Sequence, residues 1–132
     1  MKLGATLYIH NTFEAAELYQ RAFGLTLGYI ALNPDGSYLH ASLCRDEREI
    51  FAISESRNDE LVALLRRADI HTNRPIANLG IDLPTEEEVR HAFALLAEEG
   101  TVTLPLQRLP WCPLAAEVVD KYGVYWYIHL HE

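Results

Sequence analysis

The sequence predicts an α+β fold in which one β-α-β-β-β module is written twice, and three observations carry that prediction. Shifting the chain by 75 positions lays residues 39–54 (LHASLCRDEREIFAIS) under residues 114–129 (LAAEVVDKYGVYWYIH) without a gap. Leu39 meets Leu114, Ala41 meets Ala116, Leu43 meets Val118, Phe51 meets Trp126 and Ile53 meets Ile128. Each of these segments reads as a hairpin, and each is preceded by an alternating strand and an amphipathic helix. Turn chemistry separates the strands at Asn33-Pro34-Asp35-Gly36 and at Asp120-Lys121-Tyr122-Gly123, where Pro presets φ and Gly accepts a positive φ. A repeat this long is a duplicated module rather than a solenoid unit.

Residues 3–10 alternate, with Leu3, Ala5, Leu7 and Ile9 on one face and Gly4, Thr6, Tyr8 and His10 on the other. Asn11 and Thr12 offer an N-cap to a helix over 13–23, whose apolar stripe includes Ala15, Ala16, Tyr19, Ala22 and Phe23; Gly24 ends it. Strands follow at 25–32, 38–44 and 49–53, the last two joined by a charged turn at 45–48. Residues 58–67 (NDELVALLRR) form a linker helix with acids early and arginines late. The second module opens with a strand at 76–83. Thr85 and Glu88 then make a capping box for a helix that runs to Glu99 and stops at Gly100. A strand at 101–106, a stiff loop at 108–113 (RLPWCP) and the final hairpin complete it. The chain thus reads as a single domain over 1–132, with module one at 1–55, linker helix at 56–75 and module two at 76–132. In each module a helix covers one face of the strands. The opposite faces need cover too, which predicts a curved mixed sheet around a concave cleft.

Composition narrows the function classes. The 132 residues carry 11 Lys and Arg against 19 Asp and Glu, a formal charge of −8. An acidic chain with no basic cluster argues against nucleic acid and anionic membrane surfaces, and is compatible with a cationic or neutral ligand. No apolar run reaches the roughly 18 residues of a membrane span, and the N-terminal MKLGATLYIH lacks a signal-peptide core, so a cytoplasmic location is expected. Cys44 and Cys112 fit no metal-binding spacing; Cys44 is expected to be buried and Cys112 to be exposed. Phosphate loops and nucleophile elbows are absent from the sequence.

Three stretches resemble one family. Residues 13–27 (FEAAELYQRAFGLTL), 34–43 (PDGSYLHASL) and 104–128 (LPLQRLPWCPLAAEVVDKYGVYWYI) are similar, in order, to the first helix, the first hairpin and the C-terminal strands of the PhnB-like branch of the vicinal oxygen chelate superfamily. This is the superfamily of glyoxalases, bleomycin-resistance proteins and dioxygenases. The resemblance implies the glyoxalase/bleomycin-resistance fold and a homodimer. Metal-dependent members hold a divalent ion through one residue on each of four strands, usually His or Glu. Carried onto this chain, those slots fall on Gly4, Ala52, Asn78 and Tyr127. Gly and Ala have no donor, and Asn and Tyr are poor substitutes. The resemblance therefore implies no inherited metal, and no cofactor is expected.

The face opposite the helices supplies the candidate ligand-binding residues: Tyr8, His40, Asn78, Trp111, Glu117 and Tyr127. A few polar groups on an aromatic surface suit a small organic ligand. Glu117 stands out as a carboxylate among apolar neighbours, which requires a partner; Arg108, Lys121 or an arginine of another subunit would serve. His10, His129 and His131 lie at strand ends, where solvation explains them, and Trp111 either closes the cleft or packs on a sheet edge. The leading expectation is a metal-free binding protein. The alternative is an enzyme, either with His40 and Glu117 as an acid/base pair, or a metal-dependent lyase or dioxygenase with relocated ligands such as His40, Glu117 and His129.

Overall fold

A computed structural model describes residues 1–131, which form two compact units, Met1–Asp59 and a second that begins at Glu60. The first contains β1 (Thr6–Ile9), α1 (Thr12–Phe23), β2 (Thr26–Leu32), β3 (Tyr38–Arg45) and β4 (Arg48–Glu55). Its sheet has the order β1-β4-β3-β2, with β1 parallel to β4 and the remaining pairs antiparallel. The α1 stripe packs where its periodicity predicts. Tyr19 and Phe23 meet Phe51 edge-on at 5.5 and 6.5 Å, and Ala15, Ala16, Leu43 and Ile53 are buried with them. Gly24 (φ 65°) ends the helix and Gly36 (φ 89°) closes the β2–β3 turn, both in the left-handed region.

The second unit contains β5 (Leu79–Leu83), α3 (Glu86–Ala97), β6 (Thr101–Leu109), β7 (Cys112–Val119) and β8 (Tyr125–Leu130). Helix α2 (Asp59–Arg67) begins at the boundary and lies almost wholly in this unit. The sheet order is β5-β8-β7-β6, the same topology as the first. The duplication extends to register: Ala41↔Ile53, Ser42↔Ala52 and Leu43↔Phe51 become Ala116↔Ile128, Glu117↔Tyr127 and Val118↔Trp126, each shifted by 75. Val89 and Leu96 of α3 and Val118, Trp126 and Ile128 of the sheet are buried together. Asp120 organises the last turn. Its carboxylate accepts the Tyr122 and Val124 amides (2.9 and 3.1 Å) and the Trp126 indole N–H (2.8 Å) while only 3% exposed.

Several elements differ from expectation. Strands β1 and β5 are shorter than the alternation predicts, so Gly4 and Asn78 precede them. Alternating composition persists beyond the last ladder bond, and pairing ends the strand. Asn11 sits at the N-cap of α1, but its side chain makes no capping bond; Glu55 from β4 does so instead. The stiff loop expected at 108–113 is shorter: β6 and β7 take in its ends and leave Pro110 and Trp111 as a tight turn. Edge strand β6 accommodates Pro105 at a register irregularity between Leu104 and Gln107. The cysteines also reverse: Cys112 is buried, its thiol donating to the Leu114 carbonyl, and Cys44 is half-buried. Among the described residues no helix is long and apolar enough to cross a membrane.

Candidate functional site

The site is built on the face of the second sheet that turns away from α3. Period-two alternation on β8 sends Trp126 and Ile128 under the helix and leaves Tyr125, Tyr127 and His129 on the opposite face. Tyr127 and His129 stack with ring centroids 4.6 Å apart and planes 20° from parallel. Neighbouring strands fix what surrounds them: Gly80 and Asp82 of β5 lie opposite Tyr127 and His129, and Glu117 and Ala115 of β7 lie opposite the same two residues. Gly80 leaves the rings uncovered. A Cβ there would stand 3.8 Å from the Tyr127 ring and 4.0 Å from His129 Nε2.

Trp111, at the tip of the β6–β7 turn, reaches this face and donates its indole N–H to the Tyr127 hydroxyl at 3.2 Å. The residue stays 68% exposed. Asp82 accepts a hydrogen bond from His131 at the rim. Together Asp82, Trp111, Cys112, Tyr127, His129 and His131, with Leu130, line a hollow of about 380 Å³. Burial pushes the Tyr127 phenol above its ordinary range; the Trp111 hydrogen bond opposes that shift only in part. The phenol is therefore neutral at physiological pH.

The rest of this face is covered by the segment that begins with α2. Val62 lies over Gly123, and Leu65 and Ile70 cluster with Val119 and Tyr125. Glu117 is consumed here. Its carboxylate accepts the Tyr125 hydroxyl at 2.8 Å and pairs with Arg74 at 3.5 Å. Within the chain the partner is thus Arg74 from the connecting segment rather than Arg108 or Lys121. Burial, followed by the bond to Glu117, raises the Tyr125 phenol.

In the first unit, Tyr8 projects from β1 and is largely exposed, while His40 on β3 is half-buried with its ring 6.0 Å from that of Tyr29. A second hollow of about 400 Å³ lies between the N-terminus of α1 and the β2–β3 turn, lined by His10, Thr12, Phe13, Asp35, Ser37 and Glu55 among others. Glu55, one of its lining residues, binds the helix start.

Of the six predicted site residues, the structure brings Trp111 and Tyr127 into direct contact, with Glu117 beside Tyr127 in the strand register. Asn78 is exposed just ahead of β5. His40 and Tyr8 belong to the first unit and Glu117 to the second. Alternation in the sequence puts His129 and His131 on this face as strand-end residues, and His131 is indeed exposed; Asp82 is not among the residues that the sequence singles out. The alternation of β5 with Asn78 and Gly80 was the available signal for Asp82. Among the described residues, no group of three or more His, Cys, Asp or Glu side chains is placed to hold a metal ion.

No protein-family model and no curated protein matches this sequence. Solved structures do. The chain is similar to a PhnB protein from Bacillus cereus (24% identity, TM-score 0.73, covering 99% of this chain and 100% of that one). It is similar to a glyoxalase-related enzyme from Fulvimarina pelagi (20%, TM-score 0.62, covering 99% and 88%). It is also similar to a fosfomycin-resistance protein from Listeria monocytogenes solved with Mn(II) and sulfate (10%, TM-score 0.65, covering 100% and 93%). Two modules with the same strand order, in a chain aligned end to end with these structures, give the chain the vicinal oxygen chelate fold.

Proposed function

We propose that this chain binds a small organic molecule in the aromatic hollow of its second sheet, without a resident metal. The observation that carries the reading is the Trp111–Tyr127–His129 arrangement: three rings on one face, Tyr127 stacked on His129 and hydrogen-bonded to Trp111, around about 380 Å³. Aromatic walls with a few fixed polar groups are the usual make-up of a small-molecule site, and this volume suits a small ligand. Tyr8, His40, Asn78 and Glu117 stay in the proposal as outlying polar groups of the helix-distal faces. The metal-free part rests on donor chemistry at the four superfamily slots: Gly4 and Ala52 offer no donor, Asn78 precedes its strand, and the Tyr127 hydroxyl is neutral and bonded to Trp111. The proposal also takes the chain as one domain and a cytoplasmic homodimer; exposed Tyr29 and Leu32 on edge strand β2 support self-association.

The test pairs thermal melts against a small-molecule fragment set with melts after incubation with Zn, Ni, Mn or Fe(II) and dialysis. Expected are at least one fragment whose stabilisation is lost in Tyr127→Ala, and no retained metal. A stoichiometric stabilising ion would overturn the metal-free reading. A fragment set that stabilises the parent and Tyr127→Ala equally would overturn the site.

A further inference from the structure

We infer that this hollow selects an organic cation of the quaternary ammonium class, its head against the Trp111 and Tyr127 rings and facing the Asp82 carboxylate. The inference rests on the binding reading above and specifies its ligand.

Charge is the first argument. The lining holds one carboxylate, Asp82, and neither Lys nor Arg. Arg74, which reaches the same sheet face, is engaged by Glu117 at 3.5 Å. The lining therefore carries one fixed carboxylate and no fixed cation, in a chain of net charge −8. An anionic ligand would meet repulsion from Asp82 and find no fixed counter-charge.

Ring presentation is the second. Trp111 is held by its N–H edge, leaving 68% of the residue in water, and Tyr127 offers its ring above the side-chain-free Gly80. Indole and phenol faces carry negative quadrupole potential, which attracts a weakly hydrated cation.

The third argument separates a quaternary head from an ordinary amine. A primary ammonium or guanidinium carries three to five N–H donors, each needing an acceptor. Here one lone pair of the Tyr127 hydroxyl is taken by Trp111 and one Asp82 oxygen by His131, so the lining's acceptors are too few for three to five donors at once. A quaternary head has no donors to satisfy, and its methyl groups fit the aromatic lining.

The test compares choline with 3,3-dimethylbutan-1-ol, its neutral isostere, by titration into the full-length ¹⁵N-labelled protein. The chain has two tryptophans, hence two indole N–H resonances. Trp111 reports the hollow, while Trp126, fully buried on Asp120, reports the fold. Choline is expected to move the Trp111 resonance saturably, the alcohol to bind about tenfold more weakly or not at all, and Trp126 to stay in place. In Asp82→Asn, choline should weaken several-fold while the Trp126 resonance is unchanged. Equal binding of both probes would overturn the cation inference and leave the small-molecule site standing. If neither probe moves Trp111 while a neutral or anionic fragment does, the cation inference fails alone. If nothing moves it, both readings fail.

Discussion

Glu55 provides the sharpest test of how the first module is held together. It lies at the end of β4, and its carboxylate accepts the Asn11 and Thr12 amides (both 3.0 Å), the Thr12 hydroxyl (2.9 Å) and His10 Nδ1 (2.9 Å). Thr12 is fully buried, and its hydroxyl oxygen also accepts the Tyr38 amide, so Glu55 ends a chain of bonds from β3 through α1 to β4. Glu55→Ala removes a helix cap, a loss of about 1 kcal/mol. It also leaves the buried Thr12 donors without a partner, at about 1–3 kcal/mol. The His10 pair is 43% exposed on the histidine side and adds little after solvent screening. The expected loss is about 2–4 kcal/mol, a large share of the 5–15 kcal/mol typical of a domain. Glu55→Gln keeps one acceptor and should lose about half as much.

The acid limb checks the mechanism. Burial raises the Glu55 pKa, but the hydrogen bonds from Thr12, Asn11 and His10 outweigh it, and the folded-state value is lowered. A lowered folded value means that the contribution is complete above the unfolded value and is lost as pH falls through the folded one. The gap between parent and Glu55→Gln, measured by urea unfolding, should therefore be full near neutral pH and narrow in acid as the pH falls below the ordinary carboxylate value. A gap under about 0.5 kcal/mol at neutral pH, or one unchanged by acid, would refute the reasoning.

Two further substitutions probe the second module. Asp120→Ala strips the acceptor from three donors in a buried turn and should cost about 3 kcal/mol or more, with a red shift of Trp126 emission; urea unfolding followed by fluorescence reads both. Gly100→Ala places a Cβ 2.6 Å from the Val119 carbonyl and 2.7 Å from that of Leu96. Both obstacles are backbone, so about 2–3 kcal/mol should be lost. Gly4→Ala, with nothing within 4 Å, should stay within about 0.5 kcal/mol in the same denaturation assay.

The fold was legible in the sequence because its signals are local and repeated. The 75-residue shift placed Leu43 with Val118 and Phe51 with Trp126, and those pairs recur in identical register. Helical periodicity put Tyr19 and Phe23 in the core, and Gly24, Gly36 and Gly123 marked turns that need positive φ. Strand alternation likewise put Tyr127 on the helix-distal face. What it could not supply was partnership across the chain. The carboxylate that caps α1 comes from residue 55, the base that pairs with Glu117 comes from the connecting segment at residue 74, and Trp111 meets Tyr127 only because edge strand β6 continues through Pro105 to a tight turn. Each of these contacts spans 16 to 43 residues of sequence, where composition and periodicity carry no distance information. Strand pairing and turn geometry set those distances, so the tertiary structure alone decided which polar groups are spent on the fold and which face the hollow.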